Sequence, residues 1–130
     1  MASQPQTAVR PTRVGKLNRD LLAQLKEFEN TPEEERWPGA TWPKPQAFRD
    51  AEIFIQKLPL DSIPMPDMGL ADDGEVNFLW KKDGVHVDMG FYGTGAYSYF
   101  ARGKSGNKIY EEDALVSDDF PGEILALFKN

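Results

Sequence analysis

Residues 76–102 read VNFLWKKDGVHVDMGFYGTGAYSYFAR, and two turns inside this stretch decide the fold. Val76, Phe78 and Trp80 alternate with Asn77, Leu79 and Lys81, the period of a half-buried strand. Asp83-Gly84 is the chemistry of a two-residue type I′ hairpin, which sets Trp80 opposite Val87, Phe78 opposite Met89 and Val76 opposite Phe91. A three-residue loop at Gly93-Thr94-Gly95 then sets Phe91 opposite Tyr97, Met89 opposite Tyr99 and Val87 opposite Ala101. Both turns put the apolar residues on one face, and a slip of one residue at either would turn the whole set to solvent.

Working outward, the glycines of Gly103-Lys104-Ser105-Gly106 predict a turn into a short fourth strand over Asn107 to Glu111. Ser117 is an N-cap candidate for a last helix, with Pro121 tolerated in its first turn and Ile124, Leu125, Leu127 and Phe128 as its apolar body. Upstream, Leu17, Leu21, Leu25 and Phe28 fall at helical spacing, predicting a helix that ends near Asn30. Ala47, Ala51, Phe54, Ile55 and Leu58 predict a second helix, stopped by Pro59. Between the two, Trp37 to Pro45 holds three prolines and reads as an extended loop whose two tryptophans anchor it to the core. Leu60 to Gly69 reads as a connector with at most an edge strand near Ile63 to Met65. The expectation is an α+β fold: two N-terminal helices, a four-stranded antiparallel meander with helices on one face, and a short C-terminal helix. Residues 1–14 are expected to be a flexible polar and basic tail, and residues 15–130 a single domain.

The chain is 130 residues, 40% hydrophobic and 12% aromatic, too apolar to be wholly disordered, and its 28% of charged residues argue against a membrane protein. It has no cysteine and one histidine, which removes disulfide frameworks, thiolate zinc sites, cysteine nucleophiles and histidine-rich metal clusters. A net charge of -6 argues against general affinity for a phosphate backbone, so nucleic acid is an unfavoured partner. No apolar run is long enough to span a bilayer and no secretory core precedes Val14, so a cytoplasmic location is expected. Met1 to Arg19 holds no acid and carries Arg10, Arg13, Lys16 and Arg19, a composition also found in transit peptides and basic arms.

The same register turns Glu75, Asn77, Leu79, Lys81, His86, Asp88, Gly90, Ser98, Phe100 and Arg102 outward. Leu79, Asp88 and Phe100 share a row, and a four-residue loop at Gly103 to Gly106 would add Ile109 beside Phe100. An apolar patch rimmed by charge is the signature of an interface, with His86, Arg102 and Tyr92 available for specific contacts. The competing expectation is that the amino-terminal segment or the proline-rich connector covers this row within the molecule.

Catalytic motifs do not assemble. His86 and Asp88 lie two residues apart on one strand face, but Ser98 and Ser105 lack the strand-turn-helix context of an activated nucleophile. The runs Asp72-Asp73-Gly74-Glu75, Glu111-Glu112-Asp113 and Asp118-Asp119 read as a turn, a strand exit and a helix cap, without calcium-loop spacing. Gly90-Phe91-Tyr92-Gly93-Thr94-Gly95 lacks the lysine of a phosphate loop and lies between two strands, so its glycines read as hairpin geometry. No catalytic residue, metal or cofactor is therefore expected.

One resemblance adds to this reading. Leu21 to Leu25, the loop Trp37-Pro38-Gly39-Ala40 with Trp42-Pro43-Lys44-Pro45, Ala47, Ala51 and Phe54 before Leu58-Pro59, Pro66, Asp73-Gly74-Glu75, Leu79-Trp80, and a glycine-rich meander before Pro121 occur in this order. The arrangement resembles a loosely defined family of small uncharacterised α+β proteins from bacteria and their mobile elements. It implies an α+β fold and such an origin, and supplies no functional residues. The leading functional expectation is a non-enzymatic protein-binding module, of accessory, antitoxin-like, immunity or anti-defence type, with another protein or a second copy as partner. The alternatives are a carboxylate-dependent hydrolase or ligand-binding domain near His86 and Asp88, and an acidic mimic of nucleic acid.

Overall fold

The computed structural model describes residues 15–129. The expected amino-terminal tail lies outside the described residues. In chain order come helix α1 (Lys16–Glu29), a 3-10 turn (Glu33–Glu35), helix α2 (Pro45–Lys57), strands β1 (Asp67–Leu70), β2 (Val76–Lys82), β3 (Val85–Phe91), β4 (Ala96–Arg102) and β5 (Lys108–Leu115), and helix α3 (Gly122–Lys129). The strands form one antiparallel sheet in the order β1-β2-β3-β4-β5.

The central register is the one both turns require. Trp80 pairs with Val87, Phe78 with Met89 and Val76 with Phe91, and across the next hairpin Phe91 pairs with Tyr97, Met89 with Tyr99 and Val87 with Ala101. Asp83 and Gly84 both hold positive φ, 54° and 83°, as the two central residues of a type I′ turn do. All nine of these strand residues are buried.

The helices meet the sheet on this face. Phe54 of α2 sits among Phe78, Phe91 and Tyr97 with ring centroids 5.5, 4.9 and 5.1 Å away. Phe128 of α3 approaches Trp80 at 6.3 Å, and Leu21 and Leu25 of α1 are buried in the same core. Pro45 opens α2 at a position where a missing N–H costs nothing, and Pro59 follows its end at Leu58. Two carbonyls at that end, Ile55 and Leu58, accept hydrogen bonds from Asn18 Nδ2 at 2.7 and 2.9 Å, which ties α1 to α2.

Five expectations need correction. The sheet has five strands, because an edge strand forms at Asp67–Leu70, past Pro64 and Pro66, where the residues have N–H groups to donate to β2. The stretch at Ile63 to Met65 is not a strand; the carbonyl of Pro64 instead accepts a 2.8 Å bond from Trp80 Nε1, which anchors the connector. Strand β5 starts one residue later than expected and continues to Leu115, with a register shift opposite Tyr97 and Tyr99. The last helix begins only at Gly122, with the Pro121 carbonyl accepting from the amides of Ile124 and Leu125, so Ser117 stays in a preceding turn. Trp42 packs against Phe48 as an anchor should, at 6.2 Å, but Trp37 is 80% exposed.

Candidate interaction face

No helix of the described residues packs on the other face of the sheet, and the register arranges its side chains in three rows. The first crosses four strands: Lys81, His86, Arg102 and Lys108 are successive cross-strand neighbours. Strand spacing makes this row about 14 Å long. Among the described residues none of Lys81, Arg102 and Lys108 pairs with a carboxylate. Like charges on adjacent strands repel, so the fold carries this row at a cost in stability.

The second row is Asp67, Leu79, Asp88, Phe100 and Tyr110. Phe100 and Tyr110 have ring centroids 4.9 Å apart, and His86 lies edge-on to Phe100 at 6.1 Å. Leu79 and Phe100 are half-buried, and Tyr110 is 71% exposed. The third row is Gly69, Asn77, Gly90 and Ser98, small residues that leave the face low. Gly90 is required there, because a Cβ would fall 1.7 Å from the Glu75 carboxylate that lies over it.

Beyond the third row the charge reverses. Burial raises the pKa of Glu75 above the usual carboxyl value, and repulsion from Asp73 and then Asp88 adds to it. The hydroxyl of Tyr92 donates to Asp73 Oδ2 at 2.9 Å, and loss of its proton is made harder by burial and by the carboxylates around it. The face is therefore basic at the end of the Asp83-Gly84 turn, carries Leu79, Phe100 and Tyr110 interleaved with Asp67 and Asp88 in the middle, and is acidic at the end of the Gly93-Thr94-Gly95 turn.

Of the residues singled out in the sequence, Leu79, His86, Asp88, Phe100 and Arg102 are brought together in the first two rows. Tyr92 belongs to the acidic end. Ile109 is a correction: it pairs with Ala101 and packs on the core, while Tyr110 takes the place beside Phe100. The reason is one residue of loop length. Arg102 pairs with Lys108, so five residues turn the chain, closed by bonds from the Gly103 amide to the Asn107 carbonyl and from the Gly106 amide to the Gly103 carbonyl. A loop of five residues moves Tyr110 outward and adds Lys108 to the basic row. The sequence signal was Asn107, a turn residue read as the start of a strand.

Asp88 accepts a 2.6 Å hydrogen bond from Asn77 Nδ2, and His86 faces the Phe100 ring. Among the described residues no group of three or more histidine or acidic side chains is placed to hold a metal ion, and no helix is long and apolar enough to cross a membrane. No protein-family model, curated protein or solved structure matches the chain.

Proposed function

We propose that this chain is a non-enzymatic protein-binding module, of accessory, antitoxin-like, immunity or inhibitor type, that engages its partner through the outer sheet face. One observation carries the reading: Leu79, Phe100 and Tyr110 stand on a face that no helix of the described residues covers, beside Lys81, Arg102 and Lys108, which pair with no carboxylate among those residues. Apolar and aromatic side chains supply the area that drives association, and the unpaired row selects a surface bearing carboxylates. A cytoplasmic setting and an origin in bacteria or their mobile elements belong to the same proposal.

The test places a photo-crosslinking amino acid at Tyr110 and irradiates the protein in extracts of its host. One protein adduct, lost in Phe100→Asp and weakened by salt, supports the reading. Failure of any protein to crosslink overturns it. The basic row beside Phe100 and Tyr110 also favours a second reading, a platform for single-stranded nucleic acid, which combines cations with exposed rings. Fluorescence anisotropy with a labelled oligonucleotide separates the two: binding abolished by Arg102→Glu would assign the face to nucleic acid.

A further inference from the structure

A second site lies where the tryptophan loop passes strand β1. There a cleft of about 390 Å³ opens between the end of α1 and the edge of the sheet, walled by Phe28, Trp37, Trp42 and Leu70, with Glu35 and Asp72 at its rim. Its size is at the lower end of the range of ligand-binding pockets, with room for one large side chain.

Strand β1 is an open edge. The amide of Ala71 donates to the Glu75 carbonyl at 2.9 Å, which extends the β1–β2 register by one pair and fixes its alternation. Asp67, Gly69 and Ala71 therefore bond toward β2, while the amides and carbonyls of Met68, Leu70 and Asp72 point away from the sheet. The Asp72 carbonyl already has a partner, the amide of Thr41 at 2.8 Å, and Thr41 forms a parallel bridge with Asp73. The chain thus begins a sixth strand and abandons it at once, because Pro43 and Pro45 follow. Among the described residues no hydrogen bond is made to the outward amides and carbonyls of Met68 and Leu70, which lie beside the cleft.

The two sheet edges are treated differently. Strand β5 carries Lys108, Glu111, Glu112 and Asp113 and an irregular register, devices that discourage pairing with another strand. Strand β1 carries one charge, Asp67, and reads Met68-Gly69-Leu70 thereafter. Next to it, Trp37 leaves its ring in solvent, whereas the face of Trp42 is occupied by the Arg36 guanidinium at 4.1 Å.

We propose that this edge and cleft bind an extended peptide segment of a partner protein, added to the sheet alongside β1. Backbone bonds to Met68 and Leu70 hold the segment, and an apolar or proline side chain enters the cleft against Trp37. Arg36 also lines the cleft, but the exposed Glu33, Glu34 and Glu35, with Asp72, outweigh it and give this corner a net negative rim, so the segment carries lysine or arginine beside its apolar residue. The site shares no residue with the outer face and stands whether or not the proposal for that face does.

The experiment pans a random heptapeptide phage library against the full chain, then measures synthetic peptides of the enriched sequences by calorimetry. The expected peptides carry a proline or apolar residue flanked by Lys or Arg, and slow hydrogen exchange at the Met68 and Leu70 amides. Trp37→Ala and Leu70→Pro should each weaken them at least about tenfold, as loss of an anchor does. Leu70→Pro deletes an outward amide without removing a ladder bond, and Trp37→Ala removes an exposed ring and so tests the site without risk to the fold. Arg102→Glu should leave affinity unchanged. The proposal is overturned if no sequence is enriched, or if affinity survives both substitutions. A dimer of the chain itself that Leu70→Pro abolishes would assign the edge to a second copy and overturn it equally.

Discussion

Asp50 is 3% exposed and sits in the middle of α2, yet it is satisfied on both sides. One oxygen accepts from the Gly95 amide at 2.8 Å and the other from Gln46 Nε2 at 2.8 Å. The first of these ties the β3–β4 turn to the helix, and Gly93 of the same turn lies so close that a Cβ would sit 2.8 Å from the Ala47 amide nitrogen. Asp50→Ala should therefore lower the unfolding free energy by about 1–3 kcal/mol, the loss of hydrogen bonds made to a charged group, measured by urea denaturation. Glu75 makes a prediction with a sign. At acid pH it is neutral in both folded and unfolded chains and contributes nothing. As pH rises through its raised folded pKa, ionisation is harder in the fold than in the unfolded chain, so stability falls and the deficit persists at neutral pH. Glu75→Gln should melt higher than the parent at pH 7, and the gap should close below about pH 4.

Among the elements, α3 depends on few contacts and one clear polar clamp, the bond from the Tyr99 hydroxyl to Glu123 Oε2 at 2.5 Å. Burial and this bond push the Tyr99 pKa upward, keeping the donor protonated. Tyr99→Phe should speed amide exchange across residues 122–129 while leaving β2, β3 and β4 unchanged. The elements also show what sequence can encode legibly. Strands β2 to β4 could be read because two turns of fixed length and an alternating pattern specify the same register independently. The edge strands lack that redundancy. Strand β1 is four residues with one glycine and no alternation, and it is held by a pairing partner rather than by its own propensity. Strand β5 is offset by the unrecognised fifth loop residue, which moved Ile109 inward and Tyr110 outward.

For the whole molecule, a net charge of -6 conceals a sheet face whose first row is cationic. Total charge is a sum, whereas recognition is set by where the charges stand, and the row draws its members from four strands that meet only in the fold. That is why Leu79, His86 and Phe100 were legible as a patch while Lys81 and Lys108 were not seen as belonging to it. The exposure of Trp37 is hidden in the sequence for a similar reason: tryptophan usually buries its ring, and nothing local to the loop distinguishes it from Trp42. Arg102→Glu should weaken partner binding through the outer face and flatten its salt dependence without shifting the thermal midpoint downward, since it relieves repulsion within the row. Titration of the variant and parent at two salt concentrations, beside their melting curves, checks all three.

The three tryptophans occupy three different surroundings. Trp80 is sealed and bonded to Pro64, Trp42 is half covered under Arg36, and Trp37 stands in water. Acrylamide should therefore quench the red side of the emission band first. A guest settling against the outermost indole would shift that component to the blue, so the chain is its own optical reporter and needs no dye.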